Sequence, residues 1–296
     1  MVDMDHTAVA IALCLLGVFL GSFTGASVWR VRKRQLKQDV KDGYKVSETA
    51  QRQVEKLKSK SIAKDRSVCL HCGHTLHWYD LVPIFSWIYL DGKCRYCGKK
   101  IGNMEPLIEI STGLFFLLSY VLWPGTLNTV VDYIHLAVWL AAGVILIGLF
   151  VYDTKWKLLP NVAVWPLVGL GAVSSGIALY RNDFDISSVI SILSGVLVLS
   201  GLYFVLHRAS GGKYVGFGDV KLGLALALLL ADARLAFLTL FLANLIGVIV
   251  ILPGLIRRKV GMKSQVAFGP LLIAAYFISG IFGAEIINFY LIYTMG

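Results

Sequence analysis

Gly216-Phe217-Gly218-Asp219, set directly before the apolar run Val220 to Leu230, decides how this chain is read. An acidic side chain at the lip of a membrane helix carries a cost that a partner or a chemical task has to offset. The run over 218–230 is also short. At 1.5 Å per residue it reaches about 20 Å, less than the ~30 Å hydrocarbon core of a bilayer. A short span opening on Gly-x-Gly-Asp predicts a helix whose N-terminus lies recessed in the protein, where water reaches it.

Outward from that run, further apolar stretches cover residues 7–29, 105–123, 131–152, 159–180, 186–206, 234–256 and 266–292. With 57% hydrophobic and only 16% charged residues, the chain exceeds the apolar share of soluble domains. The fold class expected is an all-α polytopic membrane protein of about eight transmembrane helices. No basic residue precedes the first run, which is long enough to span, so residues 1–29 read as a retained transmembrane helix rather than a cleaved signal. Gly17, Gly21 and Gly25 recur on one of its faces and permit a close helix neighbour. Residues 30–104 form a polar, basic insert and residues 105–296 a seven-helix membrane domain. Within the insert, 46–63 can be helical with Ser47 as N-cap.

Lys and Arg outnumber Asp and Glu by 28 to 18. If the first span leaves the N-terminus outside and the rest alternate, all basic residues but Arg181 and Arg234 fall on the inner side, as the positive-inside rule requires. That topology places Asp153 and Asp219 at one cytoplasmic face. The positive balance points to the lipid bilayer as partner. No nucleic-acid-binding motif accompanies it, so no nucleic-acid partner is expected.

Four of the five cysteines form Cys69-x-x-Cys72 and Cys94-x-x-Cys97, close to the ribbon spacing of tetrahedral zinc sites. A cytoplasmic location keeps thiols reduced and favours a structural metal over disulfides or redox use. Four thiolates complete a closed site, so His71, His74 and His77 are expected outside it. Cys14 stands alone in an apolar run and reads as a small buried hydrophobe.

Asp153 closes the third apolar run as Asp219 opens the short one. Two carboxylates a few ångströms apart cannot both ionise, so they share one proton. The ionised member can take a proton from water while the protonated member polarises a carbonyl. Gly216 and Gly218 would admit an extended substrate backbone beside the acid. Two plainer readings stand beside this one: Asp219 as a helix N-cap, and Asp153 paired with Lys155 or Lys157. A transporter carrying protons on the two acids is a rival from another class.

Asp153-x6-Pro160, Gly216-x-Gly218-Asp219 and the tetracysteine insert, in that arrangement, resemble bacterial type IV prepilin peptidases. Gly21-Ser22-Phe23 with Arg30, Asp80-Leu81-Val82-Pro83 before Ser86-Trp87, Gly92-Lys93-Cys94-Arg95, Glu105-Pro106 with Glu109, and Phe268-Gly269-Pro270 extend the resemblance along nearly the whole chain. The resemblance implies a multi-pass aspartic peptidase of the bacterial inner membrane, with Asp153 and Asp219 catalytic. It would cut the basic leader from prepilins or pseudopilins on the cytoplasmic side and serve type IV pilus or type II secretion assembly. A broader Gly-x-Gly-Asp protease acting on transmembrane helices is the nearest rival.

Many members also methylate the new amine using S-adenosyl-methionine, an activity tied to the N-terminal region. Gly25 and Arg32 stand where that region of the family carries Asn and Pro, and Asn161 where Asp follows Leu-Pro. Glu109, deeper in its span than Glu105, is a candidate for active-site support or for pairing with Lys93 or Arg95.

Overall fold

The computed structural model describes residues 4–44, 46–48, 50–51, 66–213, 215–256 and 267–295. Among the described residues, eight helices of 14 residues or more carry the fold: α1 (Met4–Lys41), α2 (Met104–Val121), α3 (Val130–Trp156), α4 (Asn161–Arg181), α5 (Ile186–Ser210), α6 (Phe217–Leu230), α7 (Ala233–Ile256) and α8 (Gly269–Met295). Seven are long and apolar enough to cross a membrane, and the eighth, α6, is the short one anticipated. Among the described residues there is no strand, only two isolated bridges. In the basic insert α1 runs on past Trp29 as far as Lys41 with Leu36 buried, which hydropathy alone did not reveal. Ser47 Oγ accepts the Ala50 N–H at 3.3 Å, as an N-cap does. The rest of the helix expected over 46–63, from residue 52, lies outside the described residues.

The chain divides into two compact units, Met1–Val121 and Leu122–Gly296. In the first, α1 and α2 cross closely because glycine leaves room. A Cβ on Gly17 would fall 2.7 Å from the Thr112 carbonyl oxygen, and one on Gly21 2.8 Å from the Glu109 Cα. Gly113 returns the favour, its absent Cβ making space for Val18. This is the small-residue contact that lets membrane helices pack without a hydrophobic driving force.

The second unit is built around α6, which touches α4, α5, α7 and α8. Val220, Leu222, Gly223, Ala225, Leu226, Ala227 and Leu229 are all buried. A helix apolar on every face has to be covered on every face. Its closest approach is to α5: a Cβ on Gly223 would lie 2.2 Å from the Leu199 carbonyl oxygen. There α5 takes a π-helical turn, Leu197–Gly201, and Ser200 Oγ donates to the Val220 carbonyl at 3.0 Å. Such turns widen a helix locally and recur at functional sites.

Because α6 is short, its C-terminal carbonyls end among neighbouring helices and need donors. Ser174 and Ser175 of α4 supply them, donating to the carbonyls of Leu229 at 2.8 Å and Leu228 at 2.7 Å. Ser174 precedes Arg181, the last residue of α4, by seven positions, or about 10 Å of helix. The C-terminus of the short helix therefore ends against the middle of α4. Beyond it, Arg181 bridges Asp132 at 2.5 Å and meets His135 Nδ1 at 3.2 Å.

Candidate active site

Three helix ends meet at the other end of the second unit: the C-terminus of α3 and the N-termini of α6 and α8. Asp153, in the last turn of α3, is 5% exposed, and its carboxylate accepts the N–H of Gly269, the first residue of α8. That N–H is one of the donors a helix start leaves unmatched. The contact allows no side chain at 269, where a Cβ would fall 2.6 Å from Asp153 Oδ2. Lys157, which ends α3 in the left-handed conformation, acts on Asp153 with its charge. No ion pair of Asp153 with Lys155 or Lys157, the plainer reading, is formed among the salt bridges of the described residues.

Asp219 is half-buried in the first turn of α6. It is not the N-cap: the helix begins at Phe217, and the N-cap position belongs to Gly216. Gly216 N–H donates to Asp219 Oδ2 at 3.2 Å, and the Asp219 N–H donates to the Gly216 carbonyl at 3.1 Å. The two carboxylates lie within electrostatic reach of each other. Gly216 (φ −73°) has no need of glycine's conformational freedom, and a Cβ there would meet Asp219 Oδ2 at an ordinary 3.4 Å. Gly218 is filled from within the protein, because a Cβ would press on Leu159 at 3.1 Å. Leu159 also borders Gly269, so one side chain abuts the starts of both α6 and α8. Lys221 turns away from Asp219 to Asn161 and lies over the Phe217 ring at 5.3 Å.

Gly269 entered the sequence reading only as part of a family motif, and its bond to Asp153 gives it a task. Two further neighbours went unread, Tyr203 and His207, one turn apart on α5. His207 Nδ1 meets the Val215 carbonyl oxygen at 2.8 Å, holding the residue before Gly216, and its ring is 5.5 Å from that of Phe217. Tyr203 packs edge-on against Phe268 at 5.5 Å, beside Gly269. Their i, i+4 spacing shortly before the glycine motif was the available signal.

Glu109 belongs to the first unit, Asp153 and Asp219 to the second. It is 7% exposed and accepts the Ile84 N–H at 2.7 Å and the Ser22 hydroxyl. Ile84 has φ +62°, a strained value for a β-branched residue. The basic residues considered as partners for Glu109 go elsewhere: Arg95 to Asp80 and Lys93 to Asp91, each at 2.7 Å. Glu105 accepts the Trp29 indole N–H at 3.2 Å.

The Sγ atoms of Cys69, Cys72, Cys94 and Cys97 lie within 4.8 Å of one another, with Cys69 and Cys97 4.0 Å apart. A tetrahedron with metal–sulfur bonds of about 2.3 Å has S–S edges of roughly 3.8 Å, so the four thiols suit one ion. The two Cys-x-x-Cys turns repeat each other. Cys69 N–H donates to His74 and Cys94 N–H to Lys99, both at 2.9 Å. Gly73 (φ +75°) and Gly98 (φ +65°) take the left-handed step that closes each turn. Burial pushes the Cys69 thiol up to about 12, so a bound cation is what would make it a thiolate ligand.

Asp80 ties the linking segment to the second turn, accepting from Arg95 Nε at 2.7 Å, Tyr96 Oη at 2.9 Å and the His77 N–H at 3.2 Å. Burial opposes its charge, but these donors outweigh it and hold the carboxyl below its usual range. The histidines stay outside the sulfur cluster: His71 meets the Lys100 carbonyl at 3.2 Å and His74 lies on Tyr96 at 3.7 Å.

Residues 15–123 match the bacterial peptidase A24 N-terminal domain, and residues 140–252 the type IV leader peptidase family. A prepilin leader peptidase/N-methyltransferase of Pseudomonas aeruginosa is 29% identical over 296 residues, covering 97% of each chain. One of Pectobacterium carotovorum is 32% identical over 280 residues, 92% of this chain and 91% of the relative. One of Aeromonas hydrophila is 31% identical over 229 residues, 76% of this chain and 74% of the relative. No solved structure matches the chain.

Proposed function

The chain belongs to the type IV leader peptidase family, and from that membership we propose that it removes the basic leader from type IV prepilins or pseudopilins by aspartic-peptidase chemistry. The observation that carries this reading is the carboxylate pair brought together from the ends of α3 and α6. Burial works against the charge of both carboxyls, and Asp153, which has the Gly269 N–H and the Lys157 charge to offset it, is the member that accepts a proton from the attacking water. Asp219 holds the shared proton and donates it toward the scissile carbonyl oxygen. The proton on Asp153 then passes to the leaving amine as the peptide bond breaks.

Lys155, Lys157, Arg208, Lys213 and Lys221 lie at or near this end of the second unit, and Arg181 and Arg234 at the other. Their distribution supports a cytoplasmic active site in the bacterial inner membrane. Cys69, Cys72, Cys94 and Cys97 would hold a structural zinc, which supplies folding energy to the insert and leaves no open position for water. Methyl transfer from S-adenosyl-methionine to the new amine, named for the relatives, is proposed for the first unit, with buried Glu109 and Arg30 as the charged groups that packing alone does not require.

The test is one reaction of the purified protein with a prepilin peptide and S-adenosyl-methionine, followed by mass spectrometry. We expect a product shorter by the leader and heavier by one methyl group. Asp153→Ala and Asp219→Ala should each abolish cleavage with membrane insertion intact. Cleavage by either variant would overturn the pair, and cleavage of a generic transmembrane helix equal to that of the prepilin would overturn the substrate class.

A further inference from the structure

Beside the carboxylate pair lies a polar atom that satisfies nothing. Tyr203 is 5% exposed, and its hydroxyl has no hydrogen-bond partner among the described residues. Burying a hydroxyl unpaired is costly. Phenylalanine would fill the same space against Phe268 without that cost, so packing does not account for the oxygen. Its surroundings are those of the site: the ring rests on Phe268, next to the Gly269 that holds Asp153. The hydroxyl is within electrostatic reach of Asp219 yet too far for a hydrogen bond. One turn before it, the π-helical segment of α5 presses on Gly223 and Val220 of α6, which fixes the register of Tyr203 against the helix that carries Asp219.

We propose that Tyr203 is a further catalytic residue whose hydroxyl donates a second hydrogen bond, alongside Asp219, to the scissile carbonyl oxygen of the bound leader. This rests on the leader-peptidase reading. A phenol is a neutral donor that keeps its proton through the neutral range. Its bond strengthens as water adds to the carbonyl carbon and charge moves onto that oxygen, so its contribution appears in the transition state. The hydroxyl is unpaired in the free enzyme because its partner arrives with the substrate.

Tyr203→Phe tests this with steady-state cleavage of a prepilin peptide and thermal unfolding in detergent. We expect kcat to fall about 100-fold, the usual loss for one such donor, with KM within about threefold of the parent value. The unfolding temperature should be equal or higher, since an unsatisfied hydroxyl has been removed. An unchanged kcat, or a loss confined to KM, would overturn the proposal, as would a loss that merely tracks a lower unfolding temperature.

Difluorotyrosine at position 203 provides an independent reading that keeps the side chain's shape. Its phenol keeps the donor, so kcat should return to within about threefold of the parent value where Tyr203→Phe stays low. Asp219 on α6, His207 on α5, and Asp153 and Lys157 at the end of α3 are common to all three proteins, so the recovery belongs to the phenol. A loss equal to that of Tyr203→Phe would contradict the donor role. If the parent protein fails to cleave, the leader-peptidase reading falls; if only the variants behave unexpectedly, the assignment of Tyr203 falls alone.

Discussion

Gly269 shows how much a missing atom can decide. The N–H given to Asp153 and the absence of a Cβ 2.6 Å from its carboxylate belong to one backbone position. Gly269→Ala must move either the acid or the start of α8, and a displacement near 1 Å at reacting groups costs on the order of 100-fold. We expect at least a tenfold fall in kcat with the protein still folded. Gly216→Ala, whose Cβ meets an ordinary contact, should stay within about threefold of the parent. Measuring the two side by side separates the glycine the site requires from one it tolerates. Gly218→Val should impair cleavage as well, through collision with Leu159 rather than by blocking substrate.

At the scale of elements, α6 depends on what its neighbours do for its ends and faces. Ser174→Ala with Ser175→Ala strips the donors from the carbonyls of Leu228 and Leu229, at about 1 kcal/mol for each bond. The double variant should unfold at lower temperature in detergent while retaining cleavage, because the loss is at the end of α6 far from Asp219. Gly223→Ala, with its Cβ 2.2 Å from a backbone oxygen of α5, should fold poorly and accumulate at a reduced level. Normal yield and activity of that variant would show that the α5–α6 contact yields easily.

At the scale of the whole molecule, hydropathy found the eight helices of the described residues, and the Cys-x-x-Cys spacing found the sulfur cluster. The motifs marked Asp153 and Asp219, which the fold brings within electrostatic reach of each other. What stayed hidden depends on which helix lies beside which. Tyr203, His207 and Gly269 matter because α5 ends and α8 starts where α6 begins; the spacing of the first two and the motif around the third mark the residues, but only the fold supplies that adjacency. The donors at the C-terminus of α6 were hidden for the same reason: its length showed a deficit, but only the fold shows that Ser174 and Ser175 of α4 meet its last carbonyls. In the first unit, Cys69→Ser or Cys94→Ser should release the bound metal and lower yield, checked by elemental analysis of purified protein. Metal retained at parental stoichiometry would argue against the tetracysteine site.

The all-round burial of α6 also bears on a hazard that any enzyme working inside a membrane faces. Polar groups gather at both of its ends, the carboxylate pair at one and Asp132, Arg181 and His135 at the other. Between them, Leu222, Ala225 and Leu226 are wholly inaccessible, and past Lys221 the helix carries no charge as far as Leu230. Over those positions α6 offers no accessible surface joining the two polar clusters, which is the packing a membrane protein needs if protons exchanged at one end are not to leak to the other.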